Sequence, residues 1–328
     1  MSLIEKTQTQ TNRFLQHDWY YGAAREAMQD FLTQAANKAK VQDVATKLTV
    51  MLPGYIGVSP KEGSGIYDPI VALTEQNLIE PLFYAMTDDL RIDIFDAFDA
   101  INNKAGTPFV FLKVNYFGFS DPCEETLYQA VKQAGGILLE DNAHGFFTYH
   151  ARLHHLCDAT FFSLHKQFPF AHGGMLRVLD ESLLDWAFSG STKPRQGENP
   201  ATYDIQAISV ACINSFNAVE ALAQQHLNLW TPLRTLKNIA PTVPQTYPLA
   251  LRNTNRFQVY LDLNEQGFGV TSLYHTLIEP LRENPRFAQS RKLADCVLNI
   301  PVHQDVDANL YPELIERLAQ ACQASAIA

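Results

Sequence analysis

Two short stretches hold the residues best suited to chemistry. Gly135-Gly-Ile-Leu-Leu-Glu-Asp-Asn-Ala-His144 and Phe161-Phe-Ser-Leu-His-Lys166, the second followed by His172-Gly-Gly-Met-Leu176, put a carboxylate, a hydroxyl and an amine at the ends of successive apolar runs. These are the groups pyridoxal phosphate (PLP) requires. Its aldehyde condenses with a lysine amine, an acid keeps the pyridine nitrogen protonated so that the ring draws electrons, and donors hold the phosphate. Lys166, Asp141 and Ser163 supply them in that order.

Each residue also has a plainer reading. Asp141 follows an apolar run of strand length, at the strand end where open α/β sheets collect ligands, but an acid there can equally cap a turn. Lys166 precedes Gln167-Phe-Pro-Phe170, an apolar setting in which desolvation makes an amine nucleophilic; most lysines are solvated surface charges. Ser163, three residues earlier, can reach the same phosphate or be satisfied by backbone. Upstream, Trp19-Tyr-Tyr-Gly-Ala-Ala-Arg-Glu-Ala-Met28 reads as a turn entering a helix. Small residues such as Ala24 expose N–H groups at a helix start, which attracts anions, and Arg25 adds a charge.

The elements that must position these groups are short and apolar. Leu48 to Leu52, Pro81 to Met86, Phe109 to Val114, Ile137 to Leu139, Ala159 to Leu164 and Gly174 to Leu179 read as strands of a covered, mostly parallel sheet. Helix-like stretches, Ala23 to Ala39 and Glu124 to Ala134, alternate with them, which indicates an α/β sandwich with crossover connections. A loop rich in turn formers, Ser189 to Pro200, precedes an amphipathic helix predicted over Asp204 to Leu229. The remainder reads as a smaller α+β domain, with Phe257 to Leu263 as a strand and Pro312 to Ala321 as a closing helix. Placing the boundary inside the long helix gives a large domain over 1–215 and a small one over 216–328.

Composition excludes several classes. The 328 residues are 46% hydrophobic and 18% charged, ordinary for a globular chain that buries a full core. With 35 acidic and 25 basic residues, a net charge of -10 and no basic run, nucleic acid is not an expected partner. Five cysteines at wide spacing, Cys123, Cys157, Cys212, Cys296 and Cys322, read as buried thiols of a reducing compartment. The opening Met1-Ser-Leu-Ile-Glu-Lys-Thr-Gln8 lacks a signal-like apolar core, and no later segment reads as long and uncharged enough to span a bilayer. A cytoplasmic protein that acts on small molecules, with no membrane partner, is expected.

Taken in order, the motifs resemble the DegT/DnrJ/EryC1/StrS aminotransferases of the fold-type I PLP superfamily. Glu140-Asp-Asn-Ala-His144, Cys157-Asp-Ala-Thr-Phe-Phe-Ser163, Lys166 and Gly173-Gly-Met175 are similar to the family's core signature. So are Ala24-Arg25-Glu26-Ala27-Met28, Leu52-Pro-Gly-Tyr55, Asn115-Tyr-Phe-Gly118, Asn199 with Asp204-Ile-Gln-Ala207, and Leu298-Asn-Ile-Pro-Val-His303. The resemblance implies a large domain around a mostly parallel seven-stranded sheet and a smaller C-terminal α+β domain. It further implies that Lys166 carries the cofactor and shuttles a proton, that Asp141 pairs with the pyridine nitrogen, and that His144 packs beside the ring or its hydroxyl. Ser163 and the turn at Ala24 and Arg25 would hold the phosphate, and Asn199 would reach the phosphate of a second subunit, making a homodimer with shared sites.

The chain departs from that pattern in places. Tyr55-Ile-Gly57 stands where the family commonly has an aromatic residue that stacks on the cofactor, so stacking falls to Tyr55 or to His144. Ser163 precedes Lys166 by three residues where five are usual, and Lys61-Glu-Gly-Ser-Gly-Ile-Tyr-Asp-Pro69 replaces a plainer helix. The implied reaction moves an amino group from a donor such as glutamate to a keto-sugar, nucleotide-linked or related, with Lys193 and Arg195 as candidate cations for a diphosphate. Some relatives replace the lysine with histidine and become dehydratases, and His165 adjoins Lys166. A PLP-dependent lyase or dehydratase is therefore one alternative, and a degenerate, non-catalytic member is another. No metal is expected: His150, His154, His155 and Cys157 cluster in sequence without paired ligand spacing. Tyr274 and His275 fall where a small domain would approach the substrate, or in a polar loop.

Overall fold

A computed structural model describes residues 17–42, 44–59, 64–237 and 241–327. The first eight residues and Lys61 to Gly63, both read above from sequence, lie outside the described residues. In chain order the elements are β1 (Asp18–Tyr21), α1 (Ala24–Gln42), β2 (Leu48–Pro53), α2 (Tyr67–Glu75), β3 (Ile79–Tyr84), α3 (Ile94–Lys104), β4 (Phe109–Val114), α4 (Glu124–Gln133), β5 (Ile137–Asp141), α5 (Phe146–Ala151), β6 (Ala159–Ser163), β7 (Gly174–Val178), α6 (Ile205–Ala223), β8 (Trp230–Pro232), β9 (Thr246–Leu251), α7 (Arg256–Glu265), α8 (Glu279–Glu283), α9 (Ala288–Cys296), β10 (Val297–Pro301) and α10 (Tyr311–Ala324).

The large sheet has seven strands in the order β1-β7-β6-β5-β4-β2-β3. Pairings from β3 through β6 are parallel, and β7 and β1 close the other edge antiparallel. Every residue of β2 and of β6 is buried, as expected of strands covered on both faces. On α1, Ala27, Met28, Phe31, Leu32, Ala35, Ala36 and Ala39 are buried at the spacing of one helical face, and that face lies on β7, β6 and β1. Elsewhere a polar cap starts the helix: Asp93 Oδ1 accepts from Phe95 N and Asp96 N, each at 3.2 Å, before α3.

The smaller sheet, β10-β9-β8, is antiparallel. Here the sequence reading needs correction. Phe257 to Leu263 is not a strand but part of helix α7. Its apolar residues alternate with Gln258 and Asp262 as a strand's would, yet Asn255 Oδ1 caps Gln258 N at 3.2 Å, and Val259 and Leu263 are buried at i, i+4 spacing on the side packed against α10. The sequence predicts no strand where β8, β9, β10 and the edge strand β1 lie. The predicted long helix is real as α6, capped by Asp204 Oδ1 on Ala207 N at 3.0 Å, and passes into a 3-10 turn over Gln224–His226.

The segment Ile205–His226 also corrects the expectation about membranes. The segment is 22 residues long, and an 18-residue window of it, with a mean hydropathy of 1.3, meets the length and apolarity of a spanning helix. Its inner side, Cys212, Phe216, Val219 and Ala223, is buried in the protein, against α10 and β9, although only 22% of that apolar window is buried and Val210 is exposed. All five cysteines are unpaired thiols, three buried and two half-buried.

Candidate active site

The site is assembled at the carboxyl ends of two adjacent parallel strands. Asp141 is the last residue of β5 and pairs with Phe161 of β6. Ser163 ends β6 two residues later, so it leaves the sheet on the same face as Phe161, and Lys166 follows in a single 3-10 turn over Leu164–Lys166. That turn is the compact connection which the short Ser163-to-Lys166 spacing demands.

The opposite wall comes from the start of α1. Ser163 pairs across to Gly174, and Gly174 pairs with Tyr21, which brings the turn Gly22-Ala23-Ala24 beside the serine. A Cβ on Gly174 would lie 2.2 Å from the carbonyl carbon of Ala23, so only glycine admits the turn there. Gly173 N–H donates to Gly22 O at 2.9 Å. The glycine pair of the sequence motif is thus a packing requirement of the helix entry. Glu26 folds back to accept from Gly22 N at 2.9 Å, and the Arg195 guanidinium reaches the same turn, 3.3 Å from where a Gly22 Cβ would be.

One cavity therefore collects Ala24, Arg25, Asp141, Ser163 and Lys166, together with Ala143, Phe161, His165 and Tyr274. Asp141 is buried at 4% exposure. Burial pushes its carboxyl up to about 6, against the Ala143 N–H that donates to Oδ1 at 2.8 Å and the attraction of Lys166. Burial likewise lowers the Lys166 amine below its ordinary value, Asp141 opposing and Arg25 adding to the effect. His144 Nε2 lies 3.2 Å from Lys166 Nζ, and burial with the nearby lysine holds its imidazole well below the usual range, leaving it neutral at physiological pH. Gln245, ahead of β9, donates from Nε2 to Lys166 O at 2.5 Å.

Other expected residues lie elsewhere or are otherwise engaged. Arg25 Nη1 pairs with Asp68 Oδ2 at 3.2 Å, both half exposed, a contact worth roughly 0–1 kcal/mol that an anion can outcompete. Ser163 Oγ lies 3.3 Å from His165 Nδ1. His144 opens on a neighbouring cavity, shared with Lys166, Gln167, Gln245 and Thr271, and its ring lies parallel to Phe117 at 6.4 Å. Tyr55 is wholly buried and absent from the cavity wall; its hydroxyl is bonded to the backbone of Tyr274. Asn199 accepts from Ala201 N at 3.0 Å as a cap and borders a separate cavity beside the Asp18–Arg177 ion pair.

Two histidines of the cluster are taken up by packing, and His154 is exposed. His155 stacks on Tyr149 at 3.7 Å and 8°, His150 packs on Phe146 at 4.4 Å, and the Cys157 thiol approaches Glu140 Oε2 at 3.7 Å. Among the described residues no three His, Cys, Asp or Glu side chains are grouped to hold a metal ion. Gln245 gave no sequence signal. Tyr274, which the sequence places either where a small domain approaches the substrate or in a polar loop, lines the cavity.

No family model and no curated protein matches the chain. Solved structures do match. Helicobacter pylori PseC, an aminotransferase involved in the biosynthesis of pseudoaminic acid, aligns at TM-score 0.73 and 15% identity over 98% of this chain and 92% of its own. A DegT DnrJ EryC1 StrS aminotransferase from Brucella abortus aligns at 0.66 and 14%, over 95% and 88%. Spr1654 from Streptococcus pneumoniae, in its PMP form, aligns at 0.63 and 12%, over 97% and 91%. The chain has their fold. The large mostly parallel sheet with a smaller antiparallel one, implied by the motif resemblance, is the arrangement these aminotransferases share with it.

Proposed function

We propose that the chain is a PLP-dependent aminotransferase that moves an amino group from a donor such as glutamate to a keto-sugar, nucleotide-linked or related. The observation that carries the proposal is the single cavity joining Lys166, Asp141, Ser163 and the start of α1. Three properties of the donor set fit PLP. A dry carboxylate that favours its proton, as Asp141 does, needs a cation beside it, and a pyridinium is one. A helix start with a serine hydroxyl alongside suits a phosphate dianion. An amine made less basic by burial, as Lys166 is, suits covalent attachment to an aldehyde. Solved structures of the S. pneumoniae neighbour in PLP and PMP forms support the same cofactor.

Bound there, PLP supplies an electron sink for the carbon that carries the amino group. The chain's residues do the rest. Lys166 Nζ would hold the cofactor and would carry a proton to and from the substrate carbon. Asp141, fixed by the Ala143 N–H, keeps the proton on the pyridine nitrogen. Ser163 Oγ and the N–H groups opening α1 bind the phosphate, with Arg25 adding charge. The neutral His144 lies within hydrogen-bond reach of the Lys166 amine and orients it. The neighbouring cavity, with Gln167, Gln245 and Thr271 on its wall, offers amide and hydroxyl groups to a polyhydroxylated acceptor, and Arg195 at the Gly22 turn is a candidate for its phosphates. The resemblance to the aminotransferase family, in which Asn199 would serve a second subunit, extends the proposal to a cytoplasmic homodimer with a large domain over 1–215 and a small one over 216–328.

The test is the visible spectrum of the purified protein with PLP. A band that glutamate converts to the PMP form, and that Lys166→Ala abolishes, is the expected result. Ammonia or water release without that conversion would mark a lyase or dehydratase instead. A protein without any band would be non-catalytic.

A further inference from the structure

The cavity is closed in part by a residue from far along the chain. Tyr274 lies between α7 and α8, is 7% exposed, and lines the cavity with Asp141 and Lys166. One side chain fixes its backbone: the Tyr55 hydroxyl donates to Tyr274 O at 3.1 Å and accepts from Tyr274 N at 2.8 Å. The next residues are laced to the loop after β2. Val58 N–H donates to Thr276 O at 2.9 Å and Ile278 N–H to Ile56 O at 3.0 Å, and Gly57 bridges Leu277. The Tyr274 ring occupies the volume that a side chain at residue 57 would fill, because a Cβ on Gly57 would meet Tyr274 Cδ1 at 2.5 Å and Cγ at 2.6 Å. Gly57 is there to make space for this ring.

The other aromatic candidates are committed elsewhere. The Tyr55 ring is buried edge-on to Tyr116, at 5.7 Å and 78°. His144 opens on the neighbouring cavity. Phe161 belongs to the sheet floor, and His165 is exposed beside Ser163. Among the described residues, Tyr274 is the buried aromatic that reaches the cavity from outside the sheet. We propose that Tyr274 is the side chain against which the cofactor's pyridine ring packs, an inference that rests on the reading of this cavity as a PLP site. Flat rings gain from offset contact and from the water they exclude. Because Tyr274 arrives on a C-terminal segment pinned by Tyr55, loading the cofactor also fixes the docking of 271–278 onto the large sheet; a ligand that binds only the docked state stabilises that state.

The experiment titrates the apo-protein with PLP, reading protein fluorescence and the visible band, and follows hydrogen exchange of 271–278. Tyr274→Phe is expected to bind within about twofold of wild type, and Tyr274→Ala about tenfold more weakly. Gly57→Ala, which crowds the ring while leaving Tyr274 in place, should show a loss in the same direction as Tyr274→Ala. PLP should slow exchange across 271–278 in wild type and not in Tyr274→Ala. Binding by Tyr274→Ala as tight as wild type, or exchange of 271–278 indifferent to PLP, overturns the inference while leaving the cofactor reading intact. Failure of wild type itself to take up PLP overturns both.

Discussion

Glu140 and Asp141 leave β5 on opposite faces of the large sheet, and the two faces treat a buried carboxylate in opposite ways. On the Glu140 face, Lys113 Nζ lies 2.6 Å from Oε1 and Arg152 Nη1 3.6 Å from it, while Asn115 Nδ2 donates at 3.0 Å and Asn142 Nδ2 at 2.7 Å. Burial alone would raise the Glu140 carboxyl, but Lys113 and Arg152 outweigh it and hold it down to about 2. Glu124, 3.5 Å from Lys113 and paired with Arg152, completes a balanced set of acids and bases. On the Asp141 face burial wins, and the carboxyl stands at about 6 with one N–H donor close by. The Glu140 carboxylate is matched by two cations and two amides; a buried carboxyl with a raised pKa at a cavity, as Asp141 is, marks a candidate site.

The sharpest way to break that contrast is to unbalance the satisfied face. Lys113→Met removes the cation nearest Glu140, leaving Glu140 and Glu124 to share Arg152. Removing one partner of a buried pair costs about 3–5 kcal/mol, and a loss of that size in urea unfolding of the apo-protein is expected. A loss below about 1 kcal/mol, the range of surface pairs, would mean that water reaches this cluster and that the two faces are not different in kind.

The same operation on the other face should have the opposite sign. Asp141 binds its proton more tightly in the folded chain than its ordinary 3.8, so its ionisation opposes folding: the penalty is absent below pH about 4, grows as pH rises, and is complete above about 6. Asp141→Asn removes it. The apo variant is expected to be more stable than wild type near neutral pH by up to about 3 kcal/mol, with the gap closing as pH falls through 6 towards 4, while the PLP-dependent band is lost. Denaturant midpoints across that pH range check it. An apo Asp141→Asn protein that is destabilised at neutral pH would show that Asp141 is held by its surroundings as Glu140 is.

What sequence could show of this contrast is uneven. Glu140-Asp141 at the end of an apolar run, and the Ser163 and Lys166 spacing after the next, were legible because strand ends are where residue type and position coincide. The glycines at 173 and 174 were legible as a motif, though their cause, the approach of the Ala23 backbone, belongs to the fold. Lys113, in the run Phe109 to Val114, gave no sign of its partner, since ion pairs between strands depend on register that only pairing fixes. The small sheet was illegible for a related reason. Phe257 to Leu263 alternates like a strand, and the cap at Asn255 together with packing on α10 decides for helix. Tyr274 could not be joined to Gly57 by any pattern, because more than two hundred residues separate them.

The finest test of the satisfied face removes its central pair instead of one member. In Lys113→Met with Glu140→Gln, methionine keeps most of the lysine stem's volume, and the glutamine carbonyl retains an acceptor for one of the two amides, Asn115 or Asn142, that donate to separate oxygens of Glu140. The Arg152 and Glu124 pair remains matched. Exchanging a whole buried pair for neutral groups of similar volume is often neutral, so the double variant is expected within about 1 kcal/mol of wild type. It should thus recover most of what Lys113→Met alone loses, and the coupling read from the double-mutant cycle is the energy of a charge left without its counterpart. Losses that simply added would place the cost in packing around β4 and β5, and the difference between the two faces would then lie in shape and not in charge.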